Sequence, residues 1–140
     1  MNTAHAEARR LIARAPSQAW LREVADELDR AVRTSPLERL TKLWGLSNAE
    51  AARMFRVSRQ AFSKWLEKGV PFDRAPAVAD LDAATNILDR KLKRERIPAV
   101  VRRPAASLGG KSLYEIACEG RHREVREAVT EMFDLRRVRP

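Results

Sequence analysis

The chain has 140 residues, 44% of them hydrophobic, and carries 28 Lys and Arg against 19 Asp and Glu, a net charge of +9. That length suits one domain or two very small ones, and the sign of the charge favours a polyanionic partner, nucleic acid or an anionic membrane surface. No apolar run approaches the roughly 18 residues that span a bilayer, the N-terminus lacks the apolar core of a secretory signal, and one cysteine, Cys118, excludes an internal disulfide, so a cytoplasmic protein is expected.

Glycine is sparse away from helix ends and β-branched alternation is nearly absent, which predicts an all-α fold. Residues 3–15 read as a weak first helix, ended by Pro16. Ser17 caps a stronger one over residues 18–33, where Trp20, Leu21, Val24, Leu28 and Val32 share a face. Such a stripe reads first as core and second as a dimer interface. Ser35 and Pro36 then resemble a fresh N-cap and N1, opening a helix with Leu37, Leu40, Leu43 and Trp44 inward, Arg39 and Lys42 outward, and Gly45 at its end.

The densest signals lie in residues 46–71, LSNAEAARMFRVSRQAFSKWLEKGVP. Ser47 and Glu50 have capping-box spacing, predicting a helix over residues 48–55. Ser58 caps a second helix ending at Gly69, and Pro71 blocks its continuation. Ala51, Ala52 and Phe55 form the inner face of the first helix, Val57 plugs the turn, and Phe62, Trp65 and Leu66 line the back of the second. Outward on that second helix are Arg59, Gln60, Ser63, Lys64 and Lys68. Arg and Gln carry planar forks that match guanine and adenine edges in the major groove, and the residues near the start of a recognition helix reach the bases. Base contacts are therefore expected from Arg59, Gln60, Ser63 and Lys64, and phosphate contacts from Ser47, Ser58 and Lys68.

The segment AEAARMFRVSRQAFSKWLEKG resembles the helix-turn-helix of Xre-type DNA-binding proteins, in the small Ala of the first helix, the Val-Ser at the turn and the apolar-x-x-Trp of the second. Arg56 stands where that family commonly has Gly, at a position needing positive φ, which strains a side-chain-bearing residue by roughly 1 kcal/mol.

Beyond Pro71 a helix is expected from about residue 74 or 76 to residue 96, with Val78, Leu81, Ala84, Leu88 and Leu92 inward and a basic end at residues 90–96. That end reads equally as a solvated terminus favoured by the helix dipole or as an extra phosphate contact. Residues 97–103 form a short helix or turn closed by Pro104. The loop at residues 107–112 lacks P-loop spacing and serves as a turn into a helix capped by Ser112 and Glu115, with Leu113, Ile116 and Ala117 inward and Gly120 as its stop. A last helix over residues 122–133 buries Val125, Val129, Met132 and Phe133, and a basic tail follows. The chain thus divides into residues 1–35 for packing or dimerisation, 36–96 for DNA binding, and a small helical subdomain at 97–140.

Residues 96–135 resemble the C-terminal toxin-binding domain of the Xre/MbcA/ParS antitoxins, in Leu108-Gly109-Gly110-Lys111-Ser112-Leu113, the short aliphatic helix and the Gly120 break, although Leu113 stands where Pro is usual. The resemblance implies a dimeric repressor that binds its own promoter and neutralises a RES-fold toxin that consumes NAD. Toxin contacts would then fall at Gly109, Gly110, Lys111, Ser112, Leu113 and Tyr114 and in the tail at Arg136 and Arg137, with Arg102 and Arg103 as further basic groups. A stand-alone helix-turn-helix regulator without a toxin is the alternative.

Catalysis is not expected. His5 and His122 are far apart on charged stretches, Cys118 lies on an apolar helix face as a small buried thiol, and no histidine–cysteine set has metal-ligand spacing, so neither a metal nor a cofactor is expected.

Overall fold

The computed structural model describes residues 17–134, the side chains of residues 30–35 excepted. The fold is all-α, with no β-strand among the described residues. In order come α1 (Gln18–Trp44), α2 (Asn48–Met54), α3 (Arg59–Lys68), α4 (Ala75–Lys91), α5 (Ile97–Arg102), α6 (Leu113–Cys118) and α7 (His122–Met132). Single 3-10 turns occur at Phe72–Arg74, Arg94–Arg96 and Ala106–Leu108. The expected helix over residues 3–15 lies outside the described residues.

The second half of α1 forms the centre. Leu37, Leu40 and Trp44 are fully buried, and α1 packs on α3, α4 and α5 while α4 runs along α7. Burying an indole leaves its N–H in need of an acceptor. Trp44 Nε1 donates to Thr85 Oγ1 at 2.9 Å, and that hydroxyl donates to the Leu81 carbonyl at 2.7 Å. Two ion pairs brace the outside of the bundle. Arg39 reaches Asp89 on α4 at 2.9 Å, and Arg126 on α7 reaches Asp80 on α4 at 3.0 Å.

Helix ends repeat one device. At Gly45, Arg56 and Gly120 the chain takes a positive φ. Each time the following amide bonds back five residues, Leu46 to Thr41, Val57 to Ala52 and Arg121 to Ile116. This is the Schellman closure, which satisfies orphan carbonyls at a helix C-terminus. Glycine is favoured at position 45 on two counts, since a Cβ there would also meet Pro98 at a tight 3.2 Å.

Five expectations change. Ser35 and Pro36 do not start a helix, because α1 runs through Pro36. An interior proline costs about 3 kcal/mol, and the core residues Leu37, Leu40 and Trp44 begin only after it. The stripe of the first half of α1 is not core, since Trp20, Leu21, Val24 and Leu28 are 36%, 50%, 36% and 64% exposed. Arg39 is not a solvated residue but spans to α4. Finally, α4 stops at Lys91 rather than residue 96. Leu92 turns extended, Arg94 folds back to Asp89 at 2.9 Å, and the break brings Ile97 into the core. Met132, expected inside, is half exposed.

Candidate nucleic-acid interface

Helices α2 and α3 begin as their sequences direct. Ser47 Oγ accepts the Glu50 amide at 3.1 Å, and Glu50 Oε1 accepts the Ser47 amide at 3.0 Å, completing the capping box. Ser58 Oγ accepts the Ala61 amide at 3.0 Å. Both serines use oxygen lone pairs for capping, so each hydroxyl retains a hydrogen to donate. Between the helices Arg56 sits at φ 57, the one side-chain-bearing residue with positive φ among those described. The strain expected from a non-glycine turn is therefore present in the backbone.

The back of α3 is anchored by aromatic packing. Phe62 and Trp65 are buried, and Phe55 at the end of α2 lies between them, 6.3 Å from the Phe62 ring and 5.7 Å, edge-on, from Trp65. The opposite face carries Arg59, Gln60, Ser63, Lys64 and Lys68, all exposed. None of these five side chains bonds to another described residue. Ser47 and Ser58 are exposed as well, at the starts of α2 and α3. The seven residues expected at the DNA thus lie at the surface of one helix pair. Gly69 ends α3 with positive φ as expected, but with ψ 163, an extended rather than helical left-handed geometry open essentially to glycine alone.

The C-terminal candidates divide. Gly109 and Gly110 are exposed and have positive φ with open space around each, so the turn geometry favours glycine and crowding does not. Lys111 is half-buried and paired with Glu119, which holds that carboxylate below its ordinary range. Ser112 and Leu113 are each 2% exposed. Ser112 caps α6 through the Glu115 amide at 3.1 Å, and Leu113 belongs to the core, so neither side chain is presented to a partner. Tyr114 turns inward and donates its hydroxyl to the Glu50 carbonyl at 2.8 Å. Arg136 and Arg137 lie outside the described residues. Arg102 pairs with Glu50 of α2 at 2.7 Å and lies over the Tyr114 ring. Glu50 is held below its ordinary carboxylate range, first by the Ser47 amide and then by Arg102.

Beside the glycine turn is a largely apolar groove of about 400 Å³, lined by Leu92, Val100, Leu108, Met132 and Phe133, with Arg103 among its polar residues. Burial pushes the Cys118 thiol up, leaving it a poor nucleophile. Among the described residues no cluster of three or more His, Cys, Asp or Glu is placed to hold a metal ion, and no helix is long and apolar enough to cross a membrane.

Residues that sequence reading passed over also belong to this unit. Arg74 donates to the Phe55 carbonyl at 3.1 Å, and His122 Nε2 lies 2.9 Å from the Met54 carbonyl. Both partners are distant in sequence, and a histidine on a charged stretch carries no local mark of what it touches. No protein-family model and no curated protein matches the chain.

Proposed function

We propose that this chain is a sequence-specific, duplex-DNA-binding transcriptional repressor that acts as a homodimer and places α3 in the major groove. The outward face of α3 carries the proposal. Arg59, Gln60, Ser63 and Lys64 project from a helix locked from behind by Phe62 and Trp65, and none has a side-chain partner among the described residues. Polar side chains with that exposure and rigid support suit base reading, and the +9 charge suits the phosphate backbone.

The proposal extends to a protein partner. The exposed Gly109-Gly110 turn and the adjoining apolar groove support the role of antitoxin to a RES-fold, NAD-consuming toxin. Co-purification of the neighbouring gene product separates that role from a regulator acting alone.

The DNA reading is tested by selecting duplexes from a random-sequence pool with the purified chain. Arg59→Ala and Gln60→Ala should each lose about 1–3 kcal/mol of binding and relax preference at one base position. Lys68→Ala should weaken all sequences alike and reduce the salt slope by about one. Unchanged sequence preference in both the Arg59 and Gln60 variants would remove α3 from the reading role.

A further inference from the structure

The last carbonyls of a helix have no partner within it, and in α2 each one can be followed to its donor. The Ala51, Ala52 and Arg53 carbonyls are taken by the amides of Phe55, Val57 and Arg56, within the turn itself. The Met54 and Phe55 carbonyls are taken by side chains from elsewhere, His122 at 2.9 Å and Arg74 at 3.1 Å. His122 is the first residue of α7, and a carbonyl only accepts, so its Nε2 carries the hydrogen. Its ring also stacks on Phe55, with centroids 5.6 Å apart and planes within 23°. Phe55 in turn packs on Phe62 and Trp65, the buried back of α3. A continuous aromatic path therefore runs from the start of α7 to the helix that presents Arg59 and Gln60. The turn it braces is the one that holds Arg56 in a strained conformation, and the Arg56 side chain lies against Gly120, where a Cβ would sit 3.5 Å from it.

We propose that His122 is a positioning residue for α3, and that the C-terminal helices thereby regulate DNA reading by bracing the helix-turn-helix from behind. The proposal rests on the reading of α3 as the recognition helix. It adds that a change at the start of α7 acts on the DNA site through the Met54 carbonyl and the Phe55 ring, at a distance from any base contact.

The test uses the full chain and three variants. His122→Ala removes both the hydrogen bond and the stacked ring. His122→Gln restores an amide N–H to about the position of Nε2. Val129→Ala weakens the buried face of α7 without touching the turn. Binding is measured to a duplex selected by the wild-type chain and to random duplex, alongside amide hydrogen exchange at Arg56 and Val57. His122→Ala should lose about tenfold in affinity for the selected duplex, the cost of an unsatisfied carbonyl, with random-duplex binding retained. His122→Gln should recover part of it, and Val129→Ala should keep the wild-type preference. Exchange at Arg56 and Val57 should rise in His122→Ala alone. Full sequence preference in His122→Ala, or unchanged exchange at the turn, overturns the proposal. A wild-type chain that selects no sequence defeats the DNA reading instead, and the exchange measurement still decides whether His122 braces the turn.

Discussion

Tyr114 shows how one side chain ties two parts of the chain together and leaves a measurable trace. Its hydroxyl donates to the Glu50 carbonyl at 2.8 Å, and its ring lies under Arg102. Burial first, and then the neighbouring Cys118, push its pKa up from 10.0 to about 12. A pKa higher in the folded than in the unfolded state means that the folded chain holds the proton more tightly. Its contribution is therefore fully present below pH 10 and is lost as pH rises towards 12. The chain has one tyrosine, so an ultraviolet titration reads it alone. The midpoint should fall near 12 in buffer and near 10 in denaturant, and Tyr114→Phe should remove that part of the alkaline loss of stability. The Cys118 thiol, also raised by burial, acts in the same direction from lower pH, so the comparison belongs in a Cys118→Ser background. A native midpoint at the unfolded value would contradict the burial of the Tyr114 hydroxyl.

At the scale of elements, α1 is one rod with two environments. From Leu37 onward it is core, whereas every residue from Ser17 to Asp29 is exposed. Trp20, Leu21, Val24 and Leu28 fall within about a 100° arc of that first half, and a helix of this length without packing is marginal in water. The proposed homodimer would cover this stripe. Leu21→Glu with Leu28→Glu should convert a dimer to a monomer in sedimentation without lowering the thermal midpoint of the core. A wild-type chain that sediments as a monomer would rule this interface out. The sequence marks this arm by period alone, and period does not say whether a stripe meets its own chain or another. Local chemistry was far more legible. The Ser47–Glu50 box, the Ser58 cap and the buried Phe62 and Trp65 all rest on neighbours within a turn or two, and each appears where spacing placed it. The continuity through Pro36 and the break at Leu92 depend on what lies across the core, which spacing does not contain. The hooks of His122 and Arg74 onto α2 were invisible for the same reason, their partners being 68 and 19 residues away.

At the scale of the molecule, the described helices share one hydrophobic core. A single cluster of buried side chains includes Leu37 and Trp44 of α1, Phe55 after α2, Leu81 and Leu88 of α4, Ile97 of α5, Ile116 of α6 and Val125 of α7. The residues after 96 thus bury their apolar faces against the helices that carry the proposed DNA face, and polar links cross the same seam at Arg102–Glu50, Tyr114–Glu50 and His122–Met54. A segment of this kind lacks enough apolar surface of its own to offset the entropy of ordering it. The chain should therefore unfold in one transition, with calorimetric and van't Hoff enthalpies equal. A fragment of residues 97–140 should show little helix by circular dichroism, and one of residues 1–96 should lose protection at the turn around Arg56. Two resolved transitions, or a helical C-terminal fragment, would mean that the subdomain boundary expected at residue 97 is thermodynamically real. The braced turn would then have to hold its strain without α7.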